Sequence, residues 1–363
     1  MKILFVVTGI GFGDSTREHV NIEAVKKAYP RAKVLVACYD NSYEYFKDKY
    51  DCVKIKGYNL PGKQLKIQLP QFVLSNLFLP LFWFTSTLKV SLEEFNFVPD
   101  VIVSDFEPVG LSLARLLGKK CLVVFGYDPL LYKEYKKNNK ISIKMRTQAI
   151  YFEYLYKAAN MIALPTIRKP KPKKLDYIYT NPIIRKIPSK LKDEKKLMKE
   201  LGLVKKPILV MLGGSDFGTT LVHNIAKVGK KMKENFIIFG GNLDIKLPKN
   251  MSYIRFTPDF LKYLKVCKGV ITLGGQITLA ESLVYGKPIL CFPIKGHVEQ
   301  VLNAYAIKDV AMIGNSGSVK ELRKLLPSFV KSIPSMKKKV VEYGLKAGGE
   351  REIVNMVKVA LEK

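Results

Sequence analysis

The chain has 363 residues, 48% of them hydrophobic, which fits two ordinary domains and excludes an intrinsically disordered chain. The 61 Lys and Arg against 31 Asp and Glu give a net charge of +30, a field that attracts nucleic acid, anionic lipid or phosphorylated substrates. Five cysteines with no CxxC spacing, and three histidines away from any cysteine pair, argue for buried reduced thiols and against a disulfide scaffold or a zinc site.

In chain order, "KILFVVTG" (2–9), "AKVLVACY" (32–39), "CVKIKG" (52–57), "DVIVSD" (100–105), "CLVVFG" (121–126) and "MIALP" (161–165) read as strands. Helical spacing falls at 16–29, 107–118 and 141–159. The apolar run from Ile3 belongs to this strand–loop–helix pattern, so no signal peptide is expected. The Pro- and Lys-rich "TIRKPKPKKLDYIYTNPIIRKIPSK" reads as a linker. A second alternation follows, with strands at "PILVMLGG" (207–214), "FIIFGG" (236–241), "MSYIRF" (251–256), "GVITLGG" (269–275) and "PILCFP" (288–293).

The pattern predicts an α/β protein of two Rossmann-like, doubly wound parallel-sheet domains facing a cleft. The expected division is an N-terminal domain over 1–166, a linker over 167–188, a second domain over 189–335 and a terminal segment over 336–363. A last helix at about 334–361 is expected to pack back on the first domain. Such sheets bind ligands at the carboxyl ends of their strands. The apolar, aromatic "LPQFVLSNLFLPLFWFT" (69–85) is too short and too interrupted to span a bilayer, which takes about 20 apolar residues. It reads either as a core helical hairpin or as a patch dipping into a membrane surface.

Five stretches carry candidate chemistry. In "TGIGFGDSTREH" (8–19), Gly9, Gly11 and Gly13 are spaced G-x-G-x-G rather than as a dinucleotide fingerprint, and Asp40 is a weak match for that motif's acid. Asp14 on this loop reads as a general base, or Asp14 or Ser15 reads as a helix cap. In "PDVIVSDFEP" (99–108), Asp105 and Glu107 follow a strand. Metal binding, contact with a hydroxylated acceptor and helix capping all stand as readings of that pair. Arg185 in "NPIIRK" suits a diphosphate. In "MLGGSDFG" (211–218), the Gly213-Gly214-Ser215 turn offers backbone N–H groups and a hydroxyl to phosphate. In "ITLGGQITLAESLVYGKPILCFPIKGHVEQVLNA" (271–304), a glycine pair opens a helix whose N-terminus favours an anion, with Glu281 placed for ribose hydroxyls and Glu299-Gln300 for sugar hydroxyls.

The order Gly274, Gly275, Thr278, Glu281, Gly286, Pro288, Pro293, Glu299, Gln300, Asn303, Ala304 resembles the GT-B glycosyltransferases. It is most similar to family 28, which includes the enzyme adding N-acetylglucosamine to the lipid-linked peptidoglycan precursor. The resemblance covers nearly the whole chain and is strongest over 207–304. It implies that Glu281 binds ribose and that Gly275, Gln276, Ile277 and Thr278 form the pyrophosphate helix. It further implies that Glu299 and Gln300 hold the donor sugar, that Phe256-Thr257 read the uracil, and that Gly214-Ser215 and Arg185 bind diphosphate. "GFGDSTRE" is similar to a G-x-G-H-x-[ST]-R loop of related, mostly archaeal, members, with Asp14 in place of the His and Gly11 and Gly13 on the acceptor side.

The implied activity is a metal-independent, inverting transfer of a hexose or N-acetylhexosamine from a UDP-sugar to an acceptor hydroxyl, with no cofactor beyond that co-substrate. Asp14, or alternatively Asp105, is the implied base. The charge and the 69–85 segment suggest a membrane glycolipid acceptor and a cytoplasmic protein peripheral to the inner face of the membrane. A nucleotide-sugar hydrolase or epimerase on the same fold is the alternative. A nucleic-acid binder has only the charge in its favour, since no nucleic-acid motif is present.

Overall fold

A parallel strand covered on both faces requires a near-continuous apolar run rather than an alternating one, and the runs of this chain build two such sheets. The structure is a computed structural model describing residues 1–59, 62–63, 65–67, 71, 74, 76–93, 97–105, 107–168, 177–211, 218–241 and 243–362. The chain divides into two units. The first comprises residues 1–61, 69–185 and 348–363, and the second comprises 62–68 and 186–347.

In chain order the elements begin with β1 (Lys2–Val7), α1 (Phe12–Ala28), β2 (Lys33–Cys38), α2 (Asp40–Phe46), β3 (Asp51–Lys54), β4 (Gly62–Lys63), β5 (Lys66–Ile67) and α3 (Leu79–Glu93). They continue with β6 (Val101–Asp105), α4 (Pro108–Leu117), β7 (Lys120–Val124), α5 (Pro129–Asn138), α6 (Ile143–Ala158), β8 (Met161–Pro165) and β9 (Ile178–Thr180). The second unit holds α7 (Glu194–Glu200), β10 (Ile208–Met211), α8 (Thr219–Gly229), β11 (Phe236–Phe239), β12 (Met251–Ile254), α9 (Phe260–Val266) and β13 (Gly269–Leu273). Then come α10 (Gln276–Val284), β14 (Ile289–Phe292), α11 (Val298–Ala306), β15 (Met312–Ile313) and α12 (Val319–Tyr343), and finally α13 (Glu350–Glu362) in the first unit.

The first sheet has the order β3-β2-β1-β6-β7-β8-β9 and is parallel throughout. The chain winds outward from β1 in one direction and from β6 in the other. The switch point therefore lies between β1 and β6, where Val7 pairs with Asp105. The second sheet, β12-β11-β10-β13-β14-β15, is also parallel, with its switch point between β10 and β13. Open α/β sheets bind ligands at these points, outside the carboxyl ends of the strands.

Several stretches differ from the sequence reading: α2 and α5 fall where the sequence pattern assigns no helix, and α1 begins at Phe12 rather than at 16. Ile178–Thr180, inside the Pro- and Lys-rich segment, is the edge strand β9, paired among the described residues with β8. Three residues between prolines and lysines carry too little pattern to announce a strand. The expected helix at 334–361 is instead two helices: α12 stops on Gly344 at φ 59°, and Gly348 follows at φ 121°. Both conformations favour glycine. Past this break α13 contributes Ile353, Met356, Val357 and Ala360 to the first unit's core, against Ile22 and Val25 of α1. That spacing of i, i+3, i+4, i+7 is one helical face, and each of its larger side chains stabilises by about 1.5–3 kcal/mol on burial.

All five cysteines are free thiols, four of them buried and Cys52 half-buried. Among the described residues, no helix is long and apolar enough to cross a membrane.

Candidate active site

In the first unit, the loop after β1 is shaped by close packing. A Cβ on Gly9 would lie 2.2 Å from the Tyr39 carbonyl oxygen, so only glycine fits there. Asn41 N–H donates to the Gly9 carbonyl at 3.3 Å, Tyr39 Oη bonds Thr8 Oγ1 at 2.8 Å, and Ser42 Oγ donates to the Thr8 carbonyl. A Cβ on Gly11 would approach only the Gly13 nitrogen, at 4.0 Å. Gly9 thus serves the fold, whereas Gly11 borders open space. Asp40, the acid weighed for a dinucleotide motif, is exposed and opens α2 with φ 43°.

Helix α1 starts at Phe12 with Gly11 as its N-cap, so neither Asp14 nor Ser15 occupies the cap position. Ser15 Oγ instead bonds Ser42 Oγ at 2.7 Å. Asp14 stands in the first turn, where the helix dipole favours a carboxylate. Its Oδ1 accepts from Arg17 Nη2 at 2.8 Å, and the same nitrogen donates to Asp105 Oδ1 at 2.5 Å. Arg17 Nε lies 3.8 Å from Glu18 Oε1, and Asn21 Nδ2 donates to that oxygen at 3.0 Å. Arg17, Glu18 and Asp105 are buried, whereas the Asp14 side chain is 29% exposed.

Three carboxyl groups thus surround one buried guanidinium. Burial raises the pKa of Asp14, Asp105 and Glu18, the last to about 7, with Arg17 pulling in the opposite direction at each. The Arg17 pKa is raised above its usual value, since these carboxylates outweigh its own desolvation.

Glu107 is the N-cap residue of α4, but its side chain makes no capping bond. It is fully buried, and neither carboxyl oxygen completes a hydrogen bond, although Tyr39, the Val109 amide and Trp83 face it. Burial pushes its pKa up to about 8. Of the first unit's other candidate, Arg185, the structure shows a half-buried side chain whose charge reaches the Tyr45 phenol.

In the second unit, the glycine pair ends β13 at the switch point. A Cβ on Gly274 would lie 2.6 Å from the Gln300 carbonyl oxygen, but one on Gly275 meets nothing within 4 Å. Gly275 is the N-cap of α10, with Gln276, Ile277 and Thr278 in the first turn after it, and the space beside the Gly275 Cα is open. Gln276 and Ile277 are nearly buried, Thr278 is half-buried, and Glu281 is fully buried further along the helix.

Gln300 Oε1 accepts from Gly274 N–H at 3.1 Å and Ile294 N–H at 3.2 Å, while Asn303 Nδ2 donates to the Gly274 carbonyl at 3.0 Å. Helix α11 is therefore fastened to the ends of β13 and β14. Glu299 is half-buried on its first turn. Before it, His297 has a buried Nδ1 with no hydrogen-bond partner, and burial lowers its pKa to about 4, leaving a neutral ring. Phe256 is exposed after β12, and Thr257 Oγ1 accepts from Asp259 N–H at 3.1 Å. Gly214 and Ser215 lie outside the described residues.

The sequence reading missed Arg17 as the link between Asp14 and Asp105, and the buried Glu18. The i, i+3 spacing of Asp14 and Arg17 signals the first contact. Asp105, 88 residues away, is joined only by the fold. Among the described residues, no three His, Cys, Asp or Glu side chains are grouped to hold a metal ion.

Two parallel α/β units, each with a switch point in its strand order, make up the GT-B class of glycosyltransferase fold. Arabidopsis thaliana UGT89C1, solved in complex with UDP, matches over 99% of both chains with a TM-score of 0.65 and 13% identity, a likeness of fold. Residues 1–334 match the family described as Glycosyl transferase family 1, and the chain belongs to that family. An uncharacterized glycosyltransferase of Methanosarcina mazei is 26% identical over 234 residues, 59% of this chain and 59% of that protein's length. The UDP-N-acetylglucosamine–N-acetylmuramyl-(pentapeptide) pyrophosphoryl-undecaprenol N-acetylglucosamine transferase of Thermosipho melanesiensis is 31% identical over 152 residues, 40% of this chain and 44% of that protein.

Proposed function

We propose that the protein transfers a hexose or N-acetylhexosamine from a UDP-sugar to an acceptor hydroxyl, by a metal-independent, inverting displacement. The observation that carries this reading is the free space over Gly275, at the N-terminus of α10 and the switch point of the second sheet. First-turn N–H groups and the helix dipole favour a diphosphate there. The same groups stabilise the charge that develops on the leaving diphosphate. A fold shared with a UDP-bound glycosyltransferase, and the partial likeness to a UDP-N-acetylglucosamine transferase, support UDP as the carrier.

In this reading the second unit binds the donor, with Glu281 toward the ribose and Glu299 and Gln300 toward the sugar, and the first unit supplies the base. The acceptor oxygen forms its bond to the anomeric carbon as the bond to the diphosphate oxygen breaks. The acceptor proton passes to Asp14, and UDP leaves with the bonding electron pair. Asp14 takes this role rather than Asp105 because its carboxyl is part-exposed, whereas Asp105 is buried behind Arg17.

Peripheral contact with an anionic membrane surface completes the proposal. The first unit exposes Leu77, Phe78, Leu81, Phe84 and Leu88 along and just before α3, with Lys56 stacked on Phe82 at 4.8 Å. An apolar stripe edged by lysine on a chain of charge +30 suits such a surface.

Thermal unfolding with UDP, dTDP, GDP and ADP tests the donor reading. Saturating UDP is expected to raise Tm by several degrees, through the linkage of binding to stability. No shift with any of the four overturns the reading, and a larger shift with another nucleotide reassigns the donor. Glu281→Ala is expected to raise the donor KM about tenfold or more, the loss of one charge-assisted contact. Free sugar released from UDP-sugar at turnover rates, without acceptor, favours a hydrolase.

A further inference from the structure

Asp14 and Arg17, three residues apart on the first turns of α1, would ordinarily make a surface pair of little consequence. Here the arginine is 2% exposed, and the nitrogen that reaches Asp14 is bound at 2.5 Å to Asp105, a fully buried carboxyl at the end of β6. A guanidinium taken out of water is retained only where several acceptors compensate it. Asp105 and Glu18 supply that compensation from the buried side, β6 and α1 respectively. Asp14 is the one carboxyl of the three that reaches the surface. The sheet end, through Asp105 and Arg17, is thereby coupled to the acid on the glycine loop.

We infer that Arg17 is a positioning residue. Anchored on Asp105, it holds Asp14 by Oδ1 at 2.8 Å and so directs the other carboxyl oxygen toward the acceptor hydroxyl. This rests on the reading of Asp14 as the base. Asp105 and Glu18 act through the arginine and do not touch substrate. Burial raises the Asp14 pKa, and the positive charge of Arg17 opposes that rise. A lysine at 17 keeps a charge but loses the rigid guanidinium plane that fixes Nη2 between Asp14 and Asp105.

The test uses the full chain with Arg17→Lys, Asp105→Asn, Asp14→Asn and the pair Arg17→Lys/Asp14→Asn. Carboxyl-13C aspartate labelling, assigned by the resonance that Asp14→Asn removes, follows the titration of Asp14. UDP release is measured from UDP-glucose and UDP-N-acetylglucosamine, with octyl β-glucoside and water as hydroxyl acceptors. Arg17→Lys is expected to move the Asp14 titration upward by about one pH unit, a tenfold change in ionised fraction at a given pH. Arg17→Lys and Asp105→Asn are each expected to lower kcat tenfold or more, with the donor KM within twofold. In the Asp14→Asn background Arg17→Lys should cost nothing further.

An unmoved Asp14 titration overturns the inference, whether or not turnover is seen with these acceptors. So does an equal loss from Arg17→Lys with and without Asp14, which marks a merely structural arginine. Full turnover in Asp14→Asn overturns the base reading instead. The titration shift then still records the Arg17 contact, so the two failures are told apart.

Discussion

Gln300 holds Gly274: its Oε1 accepts the Gly274 N–H at 3.1 Å and, from the neighbouring strand's end, the Ile294 N–H at 3.2 Å. One amide oxygen thus fixes the spacing of the turn after β13 and the segment after β14. Gln300→Ala leaves two N–H groups without this acceptor, at a cost of about 1–3 kcal/mol. Urea unfolding is expected to show that loss, and Gln300→Glu, which can still accept both bonds, should recover most of it. Equal stability of Gln300→Ala and the native chain would remove the clamp.

Gly274 and Gly275 are adjacent and chemically identical, yet their substitutions should fail in different ways. A Cβ on Gly274 meets the Gln300 backbone at 2.6 Å, so Gly274→Ala is expected to destabilise by about 1–3 kcal/mol through overpacking. A Cβ on Gly275 meets nothing within 4 Å, and its φ of −66° suits any residue. Gly275→Val should therefore cost only the few degrees of Tm of a poorer N-cap while raising the donor KM, because the side chain occupies the space assigned to diphosphate. Measuring both constants on both variants separates packing from binding. Unchanged donor kinetics in Gly275→Val would move the diphosphate elsewhere.

This contrast also marks how far the sequence was legible. Each sheet was visible because doubly covered parallel strands are written as unbroken apolar runs, and the glycine pairs that follow them mark the strand ends. β9 was hidden, since Ile178–Thr180 becomes a strand only by pairing with β8. Asp14 and Asp105 were visible one at a time, as acids at loop positions after strands. Their connection through Arg17 depends on β1 and β6 lying side by side, which no local pattern records. Gln300 was legible as a polar residue of a sugar-type motif. That its oxygen binds two strand ends follows from how α11 packs, a tertiary outcome. Glu107 carried the signature of a helix cap, yet burial beside Trp83 and Tyr39 gave it a different environment.

Glu107 gives the protein a stability that depends on pH. Its carboxyl has a folded pKa of about 8 against an ordinary 4.5, so between these values the folded state binds a proton that the unfolded state does not. Stability then falls as pH rises through that window, by an amount on the order of a few kcal/mol for this one group. Urea unfolding at pH 5 and pH 8.5 is expected to show the native chain weaker at the higher pH. Glu107→Gln, which stays neutral, should flatten this part of the dependence. A residual slope is expected from Glu18, whose pKa is raised to about 7 with the same sign. An undiminished slope in Glu107→Gln would mean that the buried carboxyl is not held neutral.

Leu81, Phe84 and Leu88 recur on one face of α3, and Leu77 and Phe78 extend that face through the preceding turn. Leu77, Phe78, Leu81 and Phe84 are more than half exposed, so their removal sacrifices little core packing. A water-facing helix of a soluble fold carries polar residues at such positions, and contiguous apolar exposure marks an interaction surface. The neighbouring Lys56, stacked on Phe82, and Lys89, bonded to the Lys54 carbonyl at 2.9 Å, place positive charge beside the stripe. Leu81→Ser/Phe84→Ser is expected to keep Tm within about two degrees, as for substitutions at exposed positions. Sedimentation with vesicles of phosphatidylglycerol and phosphatidylcholine should fall several-fold relative to the native chain, each lost apolar contact contributing on the order of 1 kcal/mol. Binding of the native chain should weaken as salt is raised, since part of it is charge attraction screened within a Debye length. A native chain that ignores anionic vesicles at low salt would leave the stripe to another occupant and remove the membrane from the proposed function, with the proposed donor site on the second unit unaffected.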